Sequence, residues 1–132
     1  MSQLGFLDNG AKYPKETRRI ELGDYHESLK GDFIDVWVNL PRRLSDERLA
    51  LALDATNIAT VRLGDERDQR LAELNERMWA FHSEWWGVPL EQIKQLYQID
   101  TILYEWIAAQ ASRLRERYGE DRKKVGESST PT

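Results

Sequence analysis

The sequence predicts a mainly α-helical protein of the α+β class, in which an N-terminal β-hairpin precedes a bundle of about four helices. Two patterns carry this prediction. In residues 33–40 every second side chain is aliphatic, which is typical of a strand with one buried face. In residues 65–85 and 99–118 apolar side chains recur at steps of three and four, which is typical of helices with one buried side.

The hairpin is predicted from two strand-like segments, residues 16–22 and 32–40. The segment between them, residues 23–31, is rich in residues that favour turns, so we expect the two strands to pair antiparallel. A hairpin alone is barely stable in water, and it must therefore pack on helices or on another chain. The buried face of the second strand is predicted to consist of Ile34, Val36, Val38 and Leu40.

The helical part is predicted to begin after Pro41, which ends the second strand. We expect Ser45 to cap a first helix over residues 46–59, because a serine followed by two acidic residues is typical of a helix start. A second helix is predicted over residues 65–85, and Gly87 is expected to end it. The apolar stripe of this helix consists of Leu71, Leu74, Met78, Phe81 and Trp85.

Two further helices are predicted in the rest of the chain. The third covers residues 90–97, with Pro89 at its first position. The fourth covers residues 99–118 and is expected to end at Gly119. The predicted organisation is thus a flexible N-terminus (1–15), a single domain (16–118) with a hairpin (16–40) and a helical part (45–118), and a polar, disordered tail (119–132).

The composition of the chain limits the classes of function. Its 132 residues carry a formal net charge of −4, which is not the electrostatic footprint of a general nucleic-acid binder. The chain has no cysteine, so disulfides and cysteine-based zinc sites are excluded. Neither a signal peptide nor an apolar run long enough to span a bilayer is visible, so we expect a cytoplasmic protein without membrane contact.

No arrangement of residues in the sequence indicates catalysis. Of the two histidines, His26 lies in the predicted hairpin loop and His82 is expected on the exposed surface of the second helix. Neither Ser83 nor Glu84 shares a helix face with His82, so neither a nucleophile–base pair nor a metal pair is predicted. The glycines are too scattered for a phosphate-binding loop. We therefore predict that the protein is not an enzyme and has no catalytic residues, cofactor or metal.

The aromatic residues are the most informative feature of the helical part. Four of the five tryptophans fall between Trp79 and Trp106. So much aromatic surface forms either a core or a docking site for another protein. Both interpretations stay open here, although adjacent tryptophans point in different directions on a helix, so at least one is expected to leave the apolar stripe. The candidate partner-binding residues are Trp85, Trp86, Tyr97, Tyr104 and Trp106.

The order of these parts carries a resemblance to a known family. The chain places Phe33–Val38 in a strand, Pro41–Asp46 in a polar connection, Trp85–Leu90 at the end of a long helix and Ile102–Ile107 in a late helix. In outline, over residues 16–118, this order resembles that of the tail assembly chaperones of long-tailed bacteriophages. In that family a strand with a Trp-Val pair precedes a helix that starts with serine and an acidic residue.

The resemblance implies a mostly helical chaperone made in the cytoplasm of the infected bacterium. Such proteins coat the long, apolar, helical tape measure protein, help to recruit tail tube subunits around it, and are absent from the finished virion. The family has no catalytic residues to transfer to this chain. Its function would need an apolar surface for the client and a charged outside, and self-association of the chain stays open.

Two alternative functions also fit the sequence. A small DNA-associated regulator, such as an antitoxin-like dimer, is suggested by the helices 46–59 and 65–85, which follow one another in the order of a helix-turn-helix. The acidic pair Asp65-Glu66 would open the recognition helix, however, and would repel phosphates. The other alternative is a different phage morphogenesis protein, which would remain in the purified virion.

Overall fold

A computed structural model describes the backbone of residues 14–128 and the side chains of residues 14–123. The predicted fold class is confirmed, because an N-terminal antiparallel hairpin precedes four helices in this part of the chain. The prediction of a flexible N-terminus falls almost wholly on residues 1–13, outside the described range. The elements are β1 (Thr17–Glu21), β2 (Phe33–Trp37), α1 (Arg42–Ile58), α2 (Asp65–Trp86), α3 (Leu90–Ile99) and α4 (Thr101–Ser128).

The hairpin has the alternation that the sequence predicts. Arg19 pairs with Asp35 and Ile20 with Ile34 in an antiparallel register. The side chains of Ile34, Val36 and Val38 are buried, and they form the face that packs on the helices. The strands are shorter than predicted, because short 3₁₀ segments follow β1 and because β2 begins at Phe33 and ends at Trp37.

Asn39 fixes the point where the chain enters β1. Its side-chain oxygen accepts hydrogen bonds from the backbone N–H of Glu16 at 2.7 Å and from the indole N–H of Trp37 at 2.8 Å. Its amide nitrogen donates to the carbonyl oxygen of Pro14 at 2.8 Å. One short side chain thus supplies partners to the backbone on both sides of Lys15, as a neighbouring strand would.

The start of α1 differs from the prediction. The helix begins at Arg42 and its cap is Pro41, whose carbonyl oxygen accepts from the backbone N–H groups of Leu44 and Ser45. Ser45 therefore lies inside the helix, and its hydroxyl instead accepts a hydrogen bond from the guanidinium of Arg115 in α4 at 3.2 Å. The prediction of Ser45 as the cap was wrong, because a tertiary contact satisfies its side chain and the extended conformation of Pro41 suffices to start the helix.

The boundary between α3 and α4 lies at Asp100, whose side chain accepts from the backbone N–H of Leu103 at 3.0 Å and caps α4. The predicted end of the last helix at Gly119 is wrong, since α4 continues to Ser128. A glycine inside a helix costs only about 1 kcal/mol relative to alanine. Tyr118 and Arg122 form a hydrogen bond across this position at 2.7 Å, one turn apart. Residues 119–128 of the predicted disordered tail are thus helical, and residues 129–132 lie outside the described range.

The core is built around the C-terminal end of α2. Phe81, Trp85 and Trp86 are buried there, against the inner face of the hairpin and the buried sides of α3 and α4. Gly87 ends the helix as predicted, with a left-handed backbone (φ 64°). A β-carbon at Gly87 would lie 3.7 Å from the carbonyl oxygen of Asp35, so strand and helix end approach closely. The residues that complete the core are Ile20, Leu44, Ile93, Leu103, Tyr104, Ile107 and Ala111.

We expect Asn39→Ala to lower the free energy of unfolding by about 1–3 kcal/mol. The substitution leaves the backbone N–H of Glu16 and the indole N–H of Trp37 without their partner. Urea unfolding followed by tryptophan fluorescence measures the loss. Asn57→Ala, on the exposed end of α1, is the matched control and should change stability by less than about 0.5 kcal/mol. Equal losses for the two variants would contradict the role assigned to Asn39.

Candidate functional site

Three of the five predicted partner-binding residues lie in the core. Trp85, Trp86 and Tyr104 expose only 2%, 1% and 3% of their surface. Trp85 also donates from its indole N–H to the backbone carbonyl of Trp37 at 2.8 Å, which fastens α2 to β2. Trp86 leaves the apolar stripe that Phe81 and Trp85 define, as expected, because it packs against Tyr104 of α4 whereas Trp85 contacts β2. Both are covered because the hairpin packs on one side of α2 while α3 and α4 pack on the other.

Tyr97 and Trp106 are the two candidates that keep part of their surface accessible. Tyr97 packs edge-on against Trp79, with ring centroids 5.4 Å apart, and against Tyr104 at 5.3 Å. Trp106 packs against Tyr25 of the hairpin loop at 5.3 Å. Each ring thus covers the edge of the core and shows one side to solvent. Partner binding by the five candidates stays a prediction, and only these two are accessible to a partner.

A half-buried histidine at the edge of the aromatic core is the feature that the sequence did not indicate. His82 stacks on Trp86 with ring centroids 4.3 Å apart, and its Nδ1 forms a hydrogen bond with the hydroxyl of Tyr104. The prediction of an exposed helix-surface histidine was wrong. One turn separates His82 from Trp86 along α2, and this spacing of four residues on one helix face is the only sequence signal that links them.

The environment of His82 suppresses its charge. Burial lowers the pKa of its imidazole from 6.5 to about 4, and the nearby positive charge of Arg48 acts in the same direction. Burial also raises the pKa of Tyr104 above its usual range, with a smaller contribution from Tyr97. Both groups are therefore neutral at physiological pH. The hydrogen bond at the edge of the core therefore joins two neutral side chains.

Arg48 joins α1 to α4 beside this cluster. Its guanidinium donates to the Ser112 hydroxyl at 3.0 Å and lies over the Trp85 ring, 5.4 Å from the centroid. Burial lowers the pKa of Arg48, and the charge of Arg115 adds to the effect. The guanidinium still remains charged, since the ordinary pKa of arginine lies far above 7. Two serine–arginine contacts, Arg48–Ser112 and Arg115–Ser45, thus hold the two helices together.

The exposed apolar side chains of the helices are aliphatic and lie outside the predicted aromatic set. Leu49 and Leu53 of α1 expose 66% and 65% of their surface, and Ile99 and Ile102 at the α3–α4 corner expose 82% and 69%. We call Leu49 and Leu53 the α1 leucine pair. Its members are four residues apart and so lie on one side of the helix, away from the buried side that carries Leu44 and Ile58. The sequence shows Leu49, Leu53 and Ile58 alike as apolar positions of this helix, and only the packing of α1 separates the exposed leucines from the buried isoleucine.

The polar surface carries ion pairs between side chains of different helices. Arg77 of α2 contacts Glu47 and Asp54 of α1, and Arg43 pairs with Glu84, whose carboxyl pKa is lowered by that hydrogen bond. Among the residues that the structure describes, no group of three His, Asp or Glu side chains is placed to hold a metal ion. These exposed pairs contribute little to stability and keep the surface charged.

The described helices also lack a membrane-spanning segment, because none of them combines the necessary length and apolar character. Comparison of the chain with models of protein families, with curated proteins and with solved structures gave no significant match.

The stability of the protein should fall as the pH decreases from 7 to 4. The unfolded chain binds a proton at His82 with a pKa of 6.5, whereas the folded protein does so only near 4. The unfolded state therefore holds more protons in this window, and the free energy of unfolding should fall by about 3 kcal/mol. His82→Phe should flatten this dependence, whereas His26→Gln should keep it. Parallel pH profiles for the wild type and His82→Phe, from urea unfolding at each pH, would contradict the assignment.

Trp86→Ala should lower the free energy of unfolding by about 3–5 kcal/mol, because it empties a fully buried site and removes the ring on which His82 stacks. Trp106→Ala removes a half-buried ring of the same type and should cost clearly less. Chemical unfolding and near-UV circular dichroism measure both. A near-wild-type stability of Trp86→Ala would contradict the core position of Trp86 and would indicate a residue at the surface.

Proposed function

We propose that this protein is a tail assembly chaperone of a long-tailed bacteriophage, which binds the apolar helical tape measure protein in the bacterial cytoplasm and aids tail tube assembly around it. The resemblance in the order of segments over residues 16–118 supports this proposal. The observation that carries it in the structure is the α1 leucine pair, together with the isoleucines Ile99 and Ile102. These side chains leave aliphatic surface in water while a separate core is already complete.

The α1 leucine pair has the chemistry that an apolar helical client requires. A client helix with apolar residues at steps of three and four can pack such a row against leucines that are themselves four residues apart. Around the pair, Arg42 and Asp46 form an exposed ion pair on the same helix at 3.5 Å. Charges at the rim of an apolar patch keep the free protein soluble without occupying the patch.

The DNA-associated alternative receives less support. Helices α1 and α2 follow one another as in a helix-turn-helix, but the first turn of α2 carries Asp65, Glu66 and Asp68 on the exposed surface. A recognition helix presents its N-terminal residues to the DNA, so these three carboxylates would face phosphates and base edges. In addition, Arg43 and Arg70 form ion pairs within the protein and are partly neutralised.

The proposal is tested by co-expression with the tape measure protein of the phage that encodes this chain. Wild-type protein should keep the client soluble and co-purify with it. The double variant Leu49→Gln with Leu53→Gln should lose most of the captured client, on the order of a tenfold loss for two large apolar contacts. Glutamine retains good helix propensity, so α1 should stay folded, which circular dichroism checks.

A second test variant and a control make this test specific. Ile99→Gln with Ile102→Gln makes the same chemical change at the α3–α4 corner and shows whether this second surface takes part. Gln95→Ala and Gln98→Ala alter exposed polar positions of α3 and should leave capture unchanged. A client that stays insoluble and unbound with the wild-type protein would overturn the proposal. Binding to duplex DNA with a steep salt dependence would then favour the regulator instead.

A further inference from the structure

The outer edge of β1 is an unpaired strand edge. The N–H of Leu22 donates to Asp32 and the N–H of Val38 donates to Glu16, both at 2.9 Å. Glu16 and Leu22 thus direct their backbone groups towards β2. Because the backbone N–H and C=O groups of successive residues point to opposite sides of a strand, the groups of Arg19 and Glu21 point away from β2. In the described part of the chain, the sheet has two strands and no third one pairs with this edge. An open edge of this kind is a template for another strand.

We propose that this edge pairs antiparallel with the same edge of a second copy of the chain, with Ile20 opposite Ile20 of the second copy. Two-fold symmetry allows registers centred on Arg18, Arg19 or Ile20, the middle residues of β1. The first two registers place identical arginines directly opposite each other, which is destabilising. The register centred on Ile20 places Arg19 opposite Glu21 of the second copy, and symmetry repeats this attractive pair.

The surroundings of these residues favour the same register. Ile20 lies on the buried face of the hairpin, so this register brings two apolar side chains together at the centre of the junction. Arg19 lies on the opposite, exposed face, 3.2 Å from the carboxylate of Asp35 and over the Phe33 ring at 3.7 Å. These contacts hold the Arg19 guanidinium at the strand edge, where it can also form an ion pair with the carboxylate of Glu21 of the second copy. The side chain of Glu21 is exposed and opposite Phe33 within its own hairpin.

The product is a four-stranded antiparallel sheet in the order β2–β1–β1–β2. At the junction, Arg19 of each copy lies opposite Glu21 of the other, and each of these two pairs exchanges two backbone hydrogen bonds. A junction of one short strand covers less than the roughly 800 Å² per partner that stable dimers bury. We therefore expect a reversible dimer that forms at protein concentrations on the order of 0.1 mM and weakens at high salt, because its ion pairs are exposed.

Charge reversal at the two edge positions provides the test, which does not involve the client and is independent of the proposed function. Sedimentation velocity should show a concentration-dependent dimer for the wild type. Arg19→Glu and Glu21→Arg should each weaken it by about tenfold or more, because both variants place like charges opposite each other. An equimolar mixture of the two variants should dimerise again, since one chain then carries two acidic and the other two basic side chains at the junction.

The control is Glu27→Arg, which makes the same charge change as Glu21→Arg in the exposed hairpin loop and should leave the dimer intact. Arg19→Glu also removes the bond to Asp35, so circular dichroism must show that it folds; Glu21→Arg leaves that bond in place and is interpretable alone. A wild-type protein that stays monomeric at 0.1 mM and above, on the order of the expected affinity, would overturn the proposal. Single variants that both dimerise as strongly as the wild type, or a mixture that fails to recover, would overturn it as well.

Discussion

The attachment of α2 to β2 is the contact on which the rest of the structure depends. The indole of Trp85 is buried in the core and still satisfies its N–H through the backbone carbonyl of Trp37. Two residues later, Gly87 turns the chain close to the carbonyl of Asp35. A two-stranded hairpin is barely stable alone, and this contact stabilises it by packing it against the helices. It also fixes the direction in which the chain leaves α2 for α3 and α4.

Packing at this end of α2 explains why large aromatic residues do not line a groove. Aromatic rings that meet edge-on or tilted fill space well and gain from their mutual orientation. The ring centroids of Trp86 and Tyr104 lie 5.0 Å apart, and those of Tyr104 and Tyr97 lie 5.3 Å apart. Much of the surface of these rings is therefore covered by their contacts with one another. His82 belongs to the same set as a neutral ring with a hydrogen-bond partner. Apart from the accessible sides of Tyr97 and Trp106, the exposed apolar surface of the helices is consequently aliphatic, on α1 and at the α3–α4 corner.

The sequence was informative at most places where a local pattern determines the structure, although Gly119 does not end α4. The alternation in residues 33–40 predicted the buried face of β2, and the stripe from Leu71 to Trp85 with Gly87 predicted the course and end of α2. Prediction from the sequence failed where the environment of a side chain depends on a residue far away in the chain. Ser45 has the chemistry of a helix cap, but its hydroxyl accepts a hydrogen bond from Arg115, which lies seventy positions later in the chain. The burial of His82 depends on Tyr104, which approaches only after α3 has reversed the chain.

The two proposed surfaces lie on different elements and therefore combine without competition. The α1 leucine pair is carried by a helix, whereas self-association would use the outer edge of β1. A dimer joined through β1 would present two copies of the leucine pair to one long helical client. Binding at the first copy would then raise the effective concentration of the second, so a small aliphatic patch could hold an extended client more tightly than its area suggests. Each patch can remain small enough for the free chain to stay in solution, because the avidity comes from the number of patches and from the length of the client.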